Sequence, residues 1–361
     1  MKKYFLLFTL ASVSLASCVN DESLDLTQQP KKLSFDAPVM KTQSRTVDHY
    51  YGEINGTVYP TTESFMVFAK QHKGDLTNWE SAENFWGTDA QEVEYDASED
   101  AMYWDTVTDY YWPSGDNIKL SFGAYSPALL NTGASASYSN SGLKITGFEV
   151  NGTVEKQVDL MYSGPILNQT YNENAAGVSV VFKHALSSVV FSAIDADVNA
   201  DYTINSIKVN GKFLTQGTFC ENLSAINASG TAGWSSVSGN DEATEYALAT
   251  GLNVKVGTSS TVITGGTSAL LTIPHTAELL DDDATVTITY TVEPKSGAAA
   301  YEATKTVNLA DFKQSNDDSI TSWAIGNRYT YLFTFGGTSK IFFKPTVTDW
   351  VNNDAAILTI N

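Results

Sequence analysis

Arginine and cysteine are nearly absent from this sequence of 361 residues. The two cysteines are Cys18, which lies in a targeting segment discussed below, and Cys220. If Cys18 is modified during export, Cys220 remains alone, so the mature chain has no pair of thiols for an intrachain disulfide. We expect Cys220 to be a small apolar side chain, because a solitary cysteine is more often buried than nucleophilic.

Positive charge is also scarce. Arg45 and Arg328 are the only arginines, and lysine supplies the other nineteen of the 21 basic residues, against 41 acidic ones. The formal net charge of −20 and the pI of about 4.4 give a surface that repels phosphate backbones, which argues against a nucleic-acid partner. With 42% hydrophobic and 12% aromatic residues the composition is that of a folded protein, and the length predicts two domains.

No long hydrophobic run follows the first eighteen residues, MKKYFLLFTLASVSLASC. Lys2 and Lys3 begin this segment, and the apolar stretch after them is too short to span a membrane. Its last four residues, LASC, resemble the bacterial lipobox, in which the cysteine is acylated and becomes the new N-terminus. We therefore predict a lipoprotein signal over residues 1–18, with a lipid on Cys18 that holds the precursor at the outer membrane.

Strand-like segments dominate the rest of the chain, and helical periodicity is scarce. They alternate apolar and polar residues, are rich in Val, Ile, Thr, Tyr and Phe, and are separated by Gly, Asn, Asp and Ser. The main ones are KKLSFDAPV (31–39), SFMVFAK (64–70), IKLSFGAYSP (118–127), GVSVVFKHALSSVVFSAI (177–194), YTINSIKVNG (202–211), SALLTIPH (268–275), ATVTITYTVEP (284–294), ATKTVNLADF (303–312), RYTYLFTF (328–335) and SKIFFKPTVTDW (339–350). Many short strands with turn-rich links indicate an all-β fold of antiparallel sandwiches, with a domain boundary within 185–195.

Three segments, 73–114, 133–142 and 227–243, are predicted to be loops. The first contains Trp79, Trp86, Trp104 and Trp112 among many acidic residues. Aromatic and carboxylate side chains together are found in glycan sites, but they also hold long loops against a domain, and we favour the second interpretation.

No arrangement of residues predicts catalysis, a metal site or a cofactor. The four histidines lack the spacing of metal ligands, and His184 is expected to have a hydrogen-bonded structural role. The run Asp281–Asp283 lacks the glycine and the distal glutamate of a calcium loop. A nucleophile elbow, a P-loop and a dinucleotide-binding motif are all missing from the sequence. The chain is therefore predicted not to be an enzyme.

Several segments together resemble the fimbrillin family of Bacteroidetes, the type V pilins. A lipobox and a polar tether precede LSFDAPVMKTQSRTV (33–47), and the further matching segments are SFMVFAK, YYWPSGDNIKLSFGAYSP, QVDLMYS, VSVVFKHALSSVVFSA, WAIGNRYTYLFTF and TVTDW. The resemblance implies two transthyretin-like antiparallel β-sandwich domains in tandem. It also implies that an arginine-specific protease removes a leading strand at the cell surface, which opens a groove for a strand of another subunit.

Carried over to this sequence, the resemblance makes Arg45 the cleavage position and Thr46 the first residue of the mature chain. The removed strand is KLSFDAPVM (32–40), whose apolar face carries Leu33, Phe35 and Val39. The candidate donor strands are IFFKPTV (341–347) and AAILTIN (355–361), the second with Ile357, Leu358 and Ile360. The second segment can equally be an edge strand of its own sandwich.

The predicted layout is a signal over 1–18, a tether with the removable strand over 19–45, and sandwich domains over 46–188 and 189–361. The predicted function is a structural or adhesive pilus subunit, with a tip or accessory role as one option. Its partners are other pilin subunits, an arginine-specific protease, the outer membrane before cleavage, and host or bacterial surface ligands. The alternative is a surface lipoprotein that does not polymerise and that binds glycan or host protein through its loops.

Overall fold

Strands make up the regular structure of the chain in the computed structural model. It describes residues 31–36, 53–54, 59–97, 103–239, 242–275, 284–312, 320–336, 351–352 and 356–360. Within these ranges there is no α-helix, and short 3-10 helices occupy Val154–Lys156, Gly266–Ser268 and Leu309–Asp311. The all-β fold class predicted from the alternating sequence pattern is confirmed.

The strands are numbered in chain order. The first eleven are β1 (Ser34–Asp36), β2 (Phe65–Lys73), β3 (Glu83–Asn84), β4 (Gln91–Asp96), β5 (Tyr103–Thr106), β6 (Ile118–Ser126), β7 (Ser135–Ser139), β8 (Gly142–Glu149), β9 (Met161–Gln169), β10 (Val178–Ser179) and β11 (Lys183–His184). The others are β12 (Ser187–Asp195), β13 (Ala200–Gly211), β14 (Leu214–Cys220), β15 (Gly233–Gly239), β16 (Thr244–Ala249), β17 (Val254–Lys255), β18 (Thr261–Val262), β19 (Leu270–Thr272), β20 (Thr285–Pro294), β21 (Tyr301–Asn308), β22 (Asn327–Phe335), β23 (Val351–Asn352) and β24 (Ala356–Ile360).

Nine of the described strands form one sheet, in the order β10-β1-β5-β4-β2-β6-β9-β11 with β3 beside β2, and four others form the sheet β15-β14-β8-β7. The two sheets pack face to face, because Phe68 and Tyr162 of the first share an apolar cluster with Ile145 and Phe219 of the second. The ring centroids of Tyr162 and Phe219 lie 4.9 Å apart. Two layers around a shared apolar core are the arrangement of a β-sandwich.

The nine-stranded sheet also buries its other face, by rolling up on itself. In β2 the side chains of Phe65 and Val67 enter a separate core, while Phe68 faces the four-stranded sheet. In that separate core the ring of Phe35 in β1 lies 5.4 Å from the ring of Phe122 in β6, which is four strands away in the sheet. Flat strands four positions apart would be separated by about 19 Å. The sheet therefore curves until its distant strands meet, and β1 is one of the strands that close the roll.

A six-stranded sheet and a five-stranded sheet enclose a third core. The six-stranded sheet runs β18-β12-β22-β23, with β19 beside β12 and β24 beside β22, and the five-stranded sheet runs β16-β13-β20-β21, with β17 beside β13. Phe191 and Tyr331 of the first share one buried cluster with Ile207 and Ile288 of the second. β12 and β22 pair in parallel from Ser188 to Asp195. This pairing differs from the prediction of antiparallel sheets.

Strand pairing joins the two halves of the chain. β8, in residues 142–149, pairs with β14, which lies beyond residue 188 in the sequence. The first strand of the six-stranded sheet, β12, begins at Ser187, next to the predicted division. The division into 46–188 and 189–361 and the transthyretin-like type of the sandwiches stay predictions.

The prediction of three loops is wrong, because each segment contains strands. β3, β4 and β5 lie in 73–114, β7 lies in 133–142, and β15 lies in 227–243. β7 and β15 form the two edges of the four-stranded sheet, and most of their residues are exposed or half-buried. Ala136 and Tyr138 of β7 and Trp234 of β15 pack against the core, but serine and glycine fill most other positions of these strands, so the apolar alternation is too weak to predict them.

Candidate functional site

β1 is bonded through its backbone on both sides. It pairs antiparallel with β5 and parallel with β10. The N–H of Leu33 donates to the carbonyl oxygen of Tyr110 at 2.8 Å, and the N–H of Val180 donates to the carbonyl oxygen of Asp36 at 2.9 Å. A strand that fills this position satisfies the backbone groups of two neighbouring segments at once, so its loss would expose two unpaired edges.

The side chains of β1 complete the core of the rolled sheet. Leu33 and Phe35 are fully buried. The ring of Phe35 meets Phe65 at 6.3 Å and Phe122 at 5.4 Å, both in edge-to-face geometry. Burial of a leucine or phenylalanine side chain contributes about 1.5–3 kcal/mol each. We call the space between β5 and β10 that Leu33 and Phe35 fill the β1 groove.

The aromatic lining of the β1 groove carries no charge. Tyr59 packs its ring against Trp104 at 5.1 Å, and its hydroxyl donates to the carbonyl oxygen of Ser64 at 2.8 Å. A second hydrogen bond joins this hydroxyl to Ser126 Oγ, also at 2.8 Å. Burial raises the pKa of Tyr59, so the phenol stays neutral. The groove therefore suits a strand with apolar side chains.

Gly177 forms the wall of the β1 groove against which the strand backbone lies. Its φ is +112°, and a Cβ added there would lie 2.9 Å from the carbonyl carbon of Phe35 and 3.0 Å from the backbone nitrogen of Asp36. Only glycine combines this backbone conformation with so close an approach of another chain segment.

Replacement of Gly177 by alanine is expected to lower the free energy of unfolding of the uncleaved chain by about 1–3 kcal/mol, because the new methyl group presses on β1. Urea denaturation of the purified chain measures the change. Gly87→Ala is the matched control, since Gly87 has the same φ of +112° and an added Cβ there meets nothing within 4 Å. Equal midpoints for the two variants would contradict the close packing of Gly177 on β1.

Basic residues fix the leading end of β1. Lys32 Nζ lies 2.8 Å from Asp105 Oδ2 and 3.2 Å from Asp109 Oδ1. The side chain of Asp105 is only 8% exposed, whereas that of Asp109 is 56% exposed. Lys31 Nζ lies 3.9 Å above the ring centroid of Tyr171, a cation–π contact. The β1 groove is thus apolar along its length and acidic at this end.

The structure brings together two of the residues predicted for the removable strand, Leu33 and Phe35, as neighbours on one buried face. The other residues predicted for export and processing lie outside the described residues: Cys18, Val39, Arg45 and Thr46. Cleavage after Arg45 and lipidation of Cys18 stay predictions.

One candidate donor segment is paired within the chain. β24, which contains Ile357, Leu358 and Ile360, runs parallel to β22, with Ala356 beside Tyr331. In the structure this segment is an edge strand of the six-stranded sheet, as the alternative prediction has it. The use of β24 as a donor strand stays a prediction. The other candidate, 341–347, lies outside the described residues.

Sequence reasoning missed a buried ion pair that involves Glu53, the first described residue after the predicted cleavage point in the sequence. Arg328 Nη2 lies 2.8 Å from Glu53 Oε1, and the two side chains are 11% and 0% exposed. Ser188 Oγ donates to the other oxygen of Glu53, and the N–H of Gly266 donates to Glu53 Oε1 at 3.2 Å. Glu53 and Arg328 are 275 positions apart, so no local pattern could have indicated the pair.

The residue after Glu53 is held in a similar way. The N–H of Ile54 donates to Asp159 Oδ2 at 3.0 Å, and the same oxygen lies 2.9 Å from His184 Nδ1. His184 and Asp159 are both buried, which confirms the hydrogen-bonded role predicted for His184. Residues 53 and 54 are therefore fixed to the body of the protein through side chains from other parts of the chain.

The tryptophans of 73–114 are packed into the protein. Trp79 and Trp104 are buried, and Trp79 lies 4.5 Å from the ring of Tyr138. Trp86 is half-buried, and its ring centroid lies 5.1 Å from that of Tyr110. The buried rings of Trp79 and Trp104 offer no open face on which a sugar could stack, and the half-buried ring of Trp112 meets Tyr171, so these contacts favour the structural interpretation of this segment.

Two other kinds of site are absent from the described part of the chain. No group of three or more His, Cys, Asp or Glu side chains is placed to hold a metal ion there. In the same ranges no helix has the length and apolar character needed to cross a membrane.

Comparison with known proteins identifies the family. A crystallised fimbrial protein from Bacteroides vulgatus is 17% identical with a TM-score of 0.47, and the match covers 84% of this chain and 94% of that one. The fimbrial anchor protein Mfa2 from Porphyromonas gingivalis is 10% identical with a TM-score of 0.24, over 78% of this chain and 83% of that one. No curated protein sequence matches significantly. The family model described as fimbrillin-like matches residues 59–350, which is most of the sequence, and the chain therefore belongs to the fimbrillin-like family.

Proposed function

We propose that this chain is a fimbrial subunit that is exported as a lipoprotein through Cys18, cut after Arg45 and assembled by strand exchange. The observation that carries the proposal is the place of β1. It is a three-residue strand in the interior of the nine-stranded sheet, with Leu33 and Phe35 fully buried, yet it lies upstream of Arg45. Removal of a strand that is paired on both sides leaves a groove that a strand from another subunit can fill.

The position of Arg45 suits such a cut. β1 ends at Asp36, and the next described residue, Glu53, is tied to Arg328 and Gly266. Arg45 lies between these two fixed points in the sequence. A single cut there separates β1 from the body of the protein and leaves every strand after Glu53 in one chain. It also separates the body from the lipid proposed on Cys18.

The second arginine is protected from the same protease. Arg328 lies in β22, between β12 and β23, and its side chain is 11% exposed and paired with Glu53. A protease needs an extended and accessible segment, which an interior strand of a sheet does not offer. An arginine-specific protease therefore has one suitable target among the two arginines of the sequence.

The groove left by β1 sets the requirements for its next occupant. A strand of another subunit has to supply backbone hydrogen bonds to β5 and β10 and two apolar side chains in the positions of Leu33 and Phe35. β24 and the segment 341–347 are the candidates in this sequence. Assembly of this kind places the mature protein in a surface fimbria, with other pilin subunits as partners.

Cleavage with a purified arginine-specific protease tests the proposal. We expect one cut, after Arg45, followed by oligomers that appear as a ladder on a gel. Arg45→Ala should abolish both the cut and the ladder, whereas Lys41→Ala, a change of a neighbouring basic residue, should leave both intact. Normal assembly of Arg45→Ala would refute processing as the requirement. A cleaved chain that stays monomeric would refute strand exchange between identical copies and favour a tip role.

A further inference from the structure

Removal of β1 also removes a charge from the β1 groove. Lys32 Nζ contacts both Asp105, at 2.8 Å, and Asp109, at 3.2 Å. Asp105 pairs through its backbone with Ser34, so its side chain lies beside the leading end of the strand. Its carboxylate is 92% withdrawn from solvent, being 8% exposed. A carboxylate so far withdrawn from water is stabilised by a nearby cation, and cleavage takes this cation away with the strand.

A second segment of the sequence repeats the pattern of β1. Residues 32–39 read KLSFDAPV, and residues 340–347 read KIFFKPTV. In both, a lysine stands directly before the first apolar residue, a phenylalanine follows two positions later and a valine closes the segment. The matching pairs are Lys32 with Lys340, Leu33 with Ile341, Phe35 with Phe343 and Val39 with Val347.

The remaining positions of the repeat are compatible with the groove. Asp36 is exposed, so Lys344 at the matching position would face solvent. Ser34 is half-buried and alternates with the two buried residues, which places Phe342 on the outer face of the sheet. Ser339 stands where Lys31 does, so the contact of Lys31 with Tyr171 has no counterpart and is not required.

The other candidate donor lacks this pattern. AAILTIN (355–361) contains apolar residues but no lysine or arginine, and the residue directly before it is Asp354. Placed in the β1 groove it would bring no cation to Asp105 and Asp109. The charge at the end of the groove therefore distinguishes the two candidates, whereas their apolar residues do not.

We infer that Asp105 and Asp109 select the incoming strand by charge, and that the occupant of the β1 groove is segment 340–347 of a second copy of this chain, with Lys340 in the place of Lys32. The inference rests on the proposed function, because it concerns the groove that cleavage opens. It adds a rule of recognition: the donor strand carries a basic residue directly before its first buried side chain.

Peptide binding to the cleaved protein tests this rule. The full chain is cut after Arg45, the released segment is removed, and a fluorescent peptide of residues 338–349 is titrated by anisotropy. Lys340→Glu in the peptide is expected to weaken binding about tenfold or more. Lys344→Glu makes the same change in net charge at the position of exposed Asp36 and is expected to leave the affinity within about twofold. This pair of peptides separates recognition by Asp105 from general repulsion by an acidic protein.

Charge reversal in the protein provides a second arm that uses the same peptides. Asp105→Lys should prefer the Lys340→Glu peptide over the unchanged one. If Asp105→Lys does not fold, Asp109→Lys, at an exposed position, is expected to show the same preference to a smaller extent.

The outcomes distinguish this inference from the proposed function. Equal affinity of the Lys340→Glu and Lys344→Glu peptides would overturn recognition by charge. Tighter binding of a peptide of residues 354–361 would overturn 340–347 as the occupant. In both cases a peptide of residues 31–40, the strand that was removed, still binds and the groove remains established. Failure of that peptide as well would show that no groove opens, which would overturn the proposed function itself.

Discussion

Replacement of Phe35 by alanine is expected to lower the free energy of unfolding of the uncleaved chain by about 3–5 kcal/mol. The side chain is fully buried and meets the rings of Phe65 and Phe122, so its truncation leaves a cavity where the rolled sheet closes. Denaturation in guanidinium chloride, followed by tryptophan fluorescence, measures the change, since Trp104 belongs to the same core.

The same variant also reports whether β1 leaves the protein. After cleavage at Arg45 and loss of the leading segment, wild type and Phe35→Ala have identical sequences, so their stabilities should coincide and lie below that of the uncleaved wild type. Phe213→Ala, in the core between the six-stranded and five-stranded sheets, is the control and should destabilise both forms. If the cleaved Phe35→Ala preparation still unfolds earlier than the cleaved wild type, the cut strand has stayed in its groove.

Replacement of Glu53 by glutamine is expected to destabilise the uncleaved and the cleaved chain alike, by about 3–5 kcal/mol. Glu53 is fully buried, and its carboxylate accepts hydrogen bonds from Arg328, Ser188 and Gly266. Loss of its charge removes the carboxylate that faces the nearly buried guanidinium of Arg328. Because Glu53 lies after Arg45, cleavage does not remove it, and the effect should be the same in both forms.

An exposed ion pair of the same length provides the control. Lys208 Nζ and Glu245 Oε1 also lie 2.8 Å apart, but their side chains are 38% and 56% exposed. Glu245→Gln is therefore expected to change the free energy of unfolding by less than about 1 kcal/mol. In the double variant Glu53→Gln with Arg328→Met, the loss should be smaller than the sum of the single losses, because neither charge remains. Equal effects of Glu53→Gln and Glu245→Gln would contradict the buried pair.

The strands that could be predicted are those that face a core. β2, β6, β20 and β22 lie within a few residues of the segments read from apolar alternation, because burial of one face imposes a period of two on the sequence. Leu33 and Phe35 were recognised as an apolar face for the same reason. The edge strands β7 and β15 were missed, because serine and glycine fill most of their positions and only Ala136, Tyr138 and Trp234 pack against the core.

The candidate site was predictable only in part. The sequence indicated a removable strand upstream of Arg45, but the acidic end of its groove depends on Asp105 and Asp109, which lie more than 70 positions from Lys32. The wall at Gly177 is further still along the chain. Contacts between such distant residues follow from the order of the strands in the rolled sheet. That order cannot be predicted from the sequence of any one strand.

The sequence by itself determined that this is an all-β protein, which segments present an apolar face, and that arginine occurs at only two positions. Only the tertiary structure determined the environment of Arg328 and of the apolar segment β1. It buried Arg328 in an ion pair with Glu53, and it set β1 between β5 and β10, where its two apolar side chains complete a core. The physical reason is that alternation is a local consequence of burial, whereas ion pairs and strand neighbours depend on the free energy of the whole packed chain.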